Sequence, residues 1–279
     1  MAEIADRLHL SQPKIHLHPL SGESIQIADA ENVWPPYSAF HLAKHCLPIA
    51  DQIARRNGHQ PKALDIGTGS GIIPIMAKQT IPNLAVIATD LNPNAAELAT
   101  YNWDLNGLPP GDLTTTVADS IDDQVVQLCQ AQGKVDLLFA NLPQQPLVNG
   151  DDLAALREHH AAAWNCDATR DLDGLGIFIG VLSRAHEVVI EGGAALVSAS
   201  SKQNEPRIVR FLNQLVADKK AKSWCYVSTQ RFDIPQSYLE NPHLMDHWLA
   251  MEKKDNVQRI YYGDRNQPQY DHYNIQINF

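Results

Sequence analysis

The chain has 279 residues, 44% hydrophobic and 19% charged, which excludes a disordered makeup and leaves room for one large domain or one domain carrying additions. Its 22 basic residues fall short of the 32 acidic ones, and the formal charge of −10 disfavours nucleic-acid substrates, whose phosphates demand an excess of cation. Cys46, Cys129, Cys166 and Cys225 form neither a CxxC pair nor a zinc spacing, so reduced, mostly buried thiols and no metal are expected.

Met1 to Leu10 lacks the apolar stretch of a signal peptide, and no window approaches the roughly 20 apolar residues of a membrane span. The expectation is a cytoplasmic protein with no membrane partner. Lys14 to His18 and Ser24 to Ala28 alternate around Ser21-Gly22, which predicts a hairpin. His16 and His18 would share one strand face there, but no third ligand lies nearby. Ser38 to Arg56 carries apolar residues at helical spacing, with Pro48 expected to kink or break it.

Short apolar runs then follow at Ala63 to Ile66, Ala85 to Thr89, Val135 to Ala140 and Ala194 to Ser200, separated by stretches long enough for helices. That alternation predicts a parallel sheet covered on both faces. Ser223 to Thr229 and Tyr273 to Phe279 read as two further strands, with about forty residues rich in Pro, Tyr, His and Asn between them. The fold class is therefore α/β: a Rossmann-like, doubly wound, seven-stranded sheet with an antiparallel last strand. A hairpin and helix, residues 1–58, precede a main domain, residues 59–279, with an insertion at about 232–270.

Asp65-Ile66-Gly67-Thr68-Gly69-Ser70-Gly71 is a buried strand entering a glycine turn, followed by a helical pattern from Ile72. Such a turn brings backbone N–H groups close to a ligand at a helix N-terminus. Asp90 ends the next strand, 25 residues after Asp65, where a carboxylate suits the two hydroxyls of a ribose in either NAD or S-adenosylmethionine. Asp119 closes a third segment, although with Ser120 it also suits a helix cap. Asn141-Leu142-Pro143-Gln144 closes a fourth, so polar groups at successive strand ends surround one crevice.

Over roughly residues 33 to 230 the chain resembles the class I S-adenosylmethionine-dependent methyltransferases, in particular the branch containing release-factor glutamine N5-methyltransferases. The resemblance implies S-adenosylmethionine as cofactor. Asp65, Gly67, Thr68, Gly69 and Gly71 would hold its methionine part, Asp90 with Leu91 its ribose, and Asp119 with Ser120 its adenine. Asp171 to Leu175 and Glu191 to Ala194 match the family's stretch between its fourth and fifth strands. The family's Asn-Pro-Pro-Tyr reads Asn141-Leu142-Pro143-Gln144 here, which keeps the asparagine and the following carbonyl for orienting a substrate nitrogen and loses the aromatic.

Asn141, Leu142 and Pro143 are thus the expected catalytic set, with Asn141 also beside the cofactor. Tyr37, Gln144, Glu158, His159 and Tyr238 are substrate candidates, His159 or Glu158 serving as a base if the acceptor nitrogen is protonated. Trp34 to Tyr37 suits either core packing or the pocket entrance. The late insertion suits either a lid or a homodimer contact. The altered motif and the absence of a basic surface or a separate recognition domain favour N-methylation of a small molecule, such as an amino acid or guanidino compound. Glutamine methylation in a protein and a non-catalytic cofactor-binding scaffold are the alternatives.

Overall fold

The structure is a computed structural model that describes residues 2–30, 33, 37–142, 174–234, 249, 252–253, 257–262 and 267–279, without the side chains of residues 2, 3, 37 and 38. A short helix α1 (Ala2–Arg7) leads into the hairpin β1 (Lys14–Leu17) and β2 (Ser24–Ile27), paired antiparallel as the alternation predicts. Helix α2 (Tyr37–Arg56) continues past Pro48, so the proline does not break it. Its residues Leu42, Ala43, Leu47, Ala50 and Ile53 are buried against the sheet and α3, and this packing offsets the hydrogen bond that proline forfeits.

The main sheet is built from β3 (Lys62–Ile66), β4 (Ala85–Asp90), β5 (Leu113–Val117), β6 (Val135–Ala140), β7 (Val189–Ser200), β8 (Ser223–Asp233), β9 (Tyr261–Tyr262) and β10 (Pro268–Asn278). Between them stand α3 (Ile72–Thr80), α4 (Pro93–Leu105), α5 (Asp123–Gln132), α6 (Gly176–Val188) and α7 (Glu205–Ala217). Strand order is β5-β4-β3-β6-β7-β10-β8, with the two-residue β9 on β10. Strands β3 to β7 are mutually parallel, and β10 lies antiparallel between β7 and β8. This is the predicted doubly wound sheet with its last strand reversed.

Alternation along each strand divides the core between two faces. Ala63, Leu137, Phe139, Ala194 and Leu196 pack under α2 and α3. Leu64, Ile66, Leu138, Ala140, Val197, Ala199 and Ile275 pack under α5, α6 and α7. The helices start where their sequences say they should: Asn92, Asp122 and Asn204 each accept a backbone N–H at the entry of α4, α5 and α7. Asp122, not Asp119, is therefore the cap of α5. The strands β8 and β10 extend beyond the predicted segments because Arg231 and Asp271 face each other across them with two hydrogen bonds of 2.7 and 2.9 Å.

The N-terminal hairpin is tied to α4 by two asparagines one helical turn apart, Asn102 within the helix and Asn106 at its C-cap. Asn106 bonds the backbone of Gln26 in both directions, and the fully buried Asn102 does the same for Ala28, at 2.9 and 3.0 Å. Asn102 Nδ2 also donates to the Ser70 carbonyl at 2.9 Å, so one amide joins hairpin, helix and glycine turn. Asn102→Ala strands three buried backbone groups and is expected to cost about 3 kcal/mol in thermal or urea unfolding. A loss below about 1 kcal/mol would show that water replaces the amide.

His18 is likewise structural. It is buried, with Nδ1 accepting the Leu20 and Ser21 N–H groups at 3.2 Å and Nε2 set 3.1 Å from both the Met76 carbonyl and the Thr80 hydroxyl, while His16 stacks on Phe40. Among the described cysteines, Cys46 and Cys129 are buried as expected, but Cys225 is exposed because it lies on the outer strand β8. Among the described residues no helix is long and apolar enough to cross a membrane.

Candidate functional site at the switch point of the sheet

The chain leaves β3 to build β4 and β5 on one side, then returns to place β6 and β7 on the other. The loops at the carboxyl ends of β3 and β6 therefore diverge and open a crevice between them. Register fixes which residues stand there. Ile66 is level with Thr89 and Ala140, and Asp90 with Val117, so the glycine turn, Asp90, Asp119 and Asn141 share one sheet edge.

The glycine turn is held by backbone bonds from Gly67 and Thr68 to the Thr89 carbonyl, at 2.8 and 2.9 Å. Gly69, with φ of 54°, aims its N–H at Asp90 Oδ2 at 2.9 Å, and Asn92 N–H reaches Oδ1 at the same distance. Asp90 is thereby locked onto the turn. Burial raises its pKa, against which the Asn92 and Gly69 N–H groups act. Each oxygen keeps a further lone pair for a ligand hydroxyl.

Asp65 is 1% exposed and sits on the sheet face under α2 and α3, one step from Ile66 on the other face. Neither of its carboxyl oxygens has a hydrogen-bond partner among the described residues, and the Thr68 and Ser70 hydroxyls beside it have none either. Burial pushes the Asp65 carboxyl up to about 8, with the nearby Thr68 hydroxyl opposing the rise and the Asp90 charge adding to it. A buried carboxyl without a partner costs free energy that a cationic or N–H-donating ligand would recover.

Across the crevice, Asn141 follows β6 and accepts a 2.5 Å hydrogen bond from Ser198 of β7 through Oδ1. Leu142 is buried and its side chain lies 3.4 Å from where a Cβ on Gly67 would stand, so the two loops touch beneath the opening. Leu91 and Ser120 are half-buried beside Asp90 and Asp119; Asp119 is exposed, and its Oδ1 takes a 3.2 Å bond from the Ser120 hydroxyl. The backbone of Tyr37 opens α2, whereas Pro143, Gln144, Glu158, His159 and Tyr238 lie outside the described residues, as do most of the expected insertion and Asp171 to Asp173.

Two members of the site were missed from the sequence. Ser198 was placed on a strand, but nothing in its surroundings signals that it braces Asn141. Asn102 sits within a plain helical pattern that gives no sign of the glycine turn it holds.

The family model for ribosomal protein L11 methyltransferase (PrmA) matches residues 41–166. The ribosomal protein L11 methyltransferase of Rhizobium etli (strain CIAT 652) is 33% identical over 103 residues, covering 37% of this chain and 33% of that protein. The release factor glutamine methyltransferase of Bradyrhizobium diazoefficiens is 32% identical over 167 residues, covering 59% of this chain and 52% of that protein. The matched regions thus span between a third and about half of these relatives' own lengths. The crystal structure of a SAM-dependent methyltransferase from Agrobacterium tumefaciens aligns over 95% of this chain and 70% of that one, with a TM-score of 0.51 and 12% identity, a likeness of fold alone.

Both relatives are named for modification of a protein, which overturns the expectation of a small-molecule acceptor. The excess of acidic residues behind that expectation argues against polyanions and carries no weight against a polypeptide. In fold across the whole sheet, and in sequence across the half that holds the glycine turn, Asp90 and Asn141, the chain resembles the class I S-adenosylmethionine-dependent methyltransferases.

Proposed function

We propose that the chain is an S-adenosylmethionine-dependent methyltransferase acting on a nitrogen of a protein substrate. The observation that carries this reading is the partnerless, buried Asp65 carboxyl beside a glycine turn whose Gly69 is locked to Asp90 at the switch point. The fit to the cofactor is chemical: Asp65 offers oxygens for the ammonium of its methionine part, Asp90 the spare lone pairs for its ribose, and exposed Asp119 an acceptor for its adenine amine. When bound, the cofactor supplies a methyl group on a sulfonium, so neither a nucleophilic side chain nor a metal is needed.

What this chain contributes is alignment. Asn141, fixed through Ser198, and the Leu142 carbonyl would orient the acceptor nitrogen, and orientation of this kind recovers about 7 to 11 kcal/mol of barrier. The expected base candidates Glu158 and His159 lie outside the described residues. Calorimetry with S-adenosylhomocysteine tests cofactor binding. Transfer of labelled methyl to purified ribosomal protein L11 and to release factor, with the modified atom located by mass spectrometry, tests the acceptor. Absence of cofactor binding would sink the reading.

Asp65 makes both binding and stability depend on pH. A cationic ligand needs the carboxylate, so homocysteine-cofactor affinity should rise from about pH 6 to about pH 8.5, approaching tenfold per unit well below the carboxyl's value of about 8. Without ligand, the folded state holds this proton more tightly than the unfolded chain. Stability contributed by the protonated group is therefore present below about pH 4 and lost progressively as pH rises through about 8. Asp65→Asn should flatten both dependences while weakening cofactor binding, and a pH profile unchanged by the substitution would exclude Asp65 as the ammonium partner.

A further inference from the structure

Beyond Asn141 the sheet is joined to α2 by a single imidazole. On β7, Ser198 bonds Asn141 and stands opposite Asn274 of β10. Both Ser198 and Asn274 point to the face under α2, because Val197 and Ile275 fill the core on the other face. His41, about one turn into α2, meets Asn274 there: its Nδ1 lies 3.0 Å from Asn274 Nδ2, and its Nε2 lies 2.7 Å from Gln230 Oε1 on β8. Since Val197 is level with Ala140, Ser198 is level with Asn141, and the first turn of α2 is held at the same carboxyl edge of the sheet.

The two bonds require a neutral ring. Asn274 Nδ2 donates, with its other hydrogen on Ser228 Oγ at 2.9 Å, so His41 Nδ1 must accept while Nε2 carries the proton that goes to Gln230. A second proton on Nδ1 would set N–H against N–H. Turning the Asn274 amide over would relieve that conflict only by breaking the hydrogen bond it shares with the His272 side chain. Among the described residues, the titratable and charged neighbours of His41 come from three places. Lys44 and His45 share α2 with it, His272 of β10 lies edge-on at 4.9 Å between ring centroids, and Lys202 stands beyond His272, over the Tyr270 ring. Strand β8 supplies the neutral Gln230 and the Phe232 ring. Burial holds the His41 pKa below its ordinary value; the Gln230 bond opposes this, and His45 and Lys44 add to it.

We propose, on the methyl-transfer reading above, that His41 is a positioning residue: as a neutral imidazole it latches the first turn of α2 to β8 and β10 beside the Ser198–Asn141 bond, and its protonation releases that turn. Unlatched, the ring is free of the Asn274 N–H and regains its ordinary affinity for a proton. Opening is therefore favoured as pH falls below about 6.5, the sign expected of a group that binds its proton less tightly in the closed form. The glycine turn and Asp90 are held by bonds of their own and stay in place, so the latch governs the acceptor side of the crevice and not the grip on the cofactor.

Amide hydrogen exchange of residues 41–44, whose N–H groups bond the carbonyls of the first turn, tests the latch in the ligand-free chain. Corrected for intrinsic rates, their protection is expected to fall about threefold to tenfold between about pH 7 and pH 5, the size of one lost hydrogen bond. Gln230→Glu places a carboxylate that holds the imidazolium in the latched geometry, and His41→Gln keeps a donor and an acceptor but cannot titrate; each should abolish the fall. His45→Gln should leave it intact. At saturating S-adenosylmethionine, kcat/KM for the protein acceptor should drop about threefold to tenfold more in the wild type than in Gln230→Glu over the same range, while S-adenosylhomocysteine affinity keeps the pH dependence set by Asp65 in both. Wild-type protection that acid leaves unchanged, or a fall that Gln230→Glu preserves or His45→Gln abolishes, would overturn the latch. Exchange that responds while the two kcat/KM profiles coincide would overturn the positioning role. Failure of the wild-type chain to bind S-adenosylhomocysteine, with the exchange response intact, would instead overturn the methyl-transfer reading and leave the latch standing.

Discussion

Replacing Asn141 by alanine is expected to leave S-adenosylhomocysteine affinity within about threefold of the wild type while methyl transfer falls by about 100-fold or more. Asn141 stands across the switch point from the glycine turn, so its removal leaves Asp65, Gly69 and Asp90 as they are. Lost instead is the group that orients the acceptor, and small misplacements of a reacting atom carry large kinetic penalties. Asn141→Asp refines the result, since the new carboxylate still accepts the Ser198 hydroxyl but no longer presents an N–H. Ser198→Ala should give an intermediate loss, of about tenfold, through a less fixed Asn141. Single-turnover rates beside calorimetry make the distinction, and turnover of Asn141→Ala within about threefold of the wild type would remove the residue from the mechanism.

The largest effect on stability is expected at Gly71. Its φ of 78° lies in the left-handed region, and a Cβ there would stand 2.8 Å from Ala99 Cα and 2.9 Å from Ala99 Cβ. The first feature costs a side-chain-bearing residue about 1 to 2 kcal/mol, and overpacking against helix backbone typically adds about 1 to 3 kcal/mol. Gly71→Ala should therefore lower stability by about 3 kcal/mol, a fall in Tm of about 6 to 12 °C for a domain of this size. Cofactor binding should be lost with it, because α3 can move away from α4 only by carrying the glycine turn along. Gly22→Ala is the control: its φ is 73°, but nothing lies within 4 Å of the added carbon, so only the backbone cost of about 1 to 2 kcal/mol applies. Equal losses at the two positions would mean that crowding against Ala99 contributes nothing.

The cofactor edge was readable because its information is local. Strand, glycine turn and helix follow one another from Ala63 to Ala77, and Asp90 closes the very next strand, so spacing alone brings these residues together. Strand types were readable for the same reason, since Ala63 to Ile66 and Val135 to Ala140 are apolar on both faces, as the middle of a parallel sheet requires. The opposite wall was not readable. Its bonds join residues 57 apart, for Asn141 and Ser198, and 233 apart, for His41 and Asn274. Apolar alternation at Tyr273, Ile275 and Ile277 reveals which way His272 and Asn274 point, but not what they meet. Pro48 misled in a simpler way, because the helix break it suggests is outweighed by the buried face of α2. The acceptor class is not legible in the altered Asn141-Leu142-Pro143-Gln144 motif, the lack of a basic surface or the lack of a separate recognition domain, because none of these argues against a polypeptide.

The placement of β10 between β7 and β8 also orders the construction of the molecule in time. Among the described residues β8 pairs with no strand but β10, which follows it in sequence, whereas every partner strand of β3, β4 and β5 is in place once β6 is made. During translation the donor half can consolidate while β8 still waits for its neighbour to leave the ribosome, because the N-terminal part of a chain is made and folds first. A nascent chain of this kind completes the glycine turn and its bond to Asp90 before β10 joins β7 to β8.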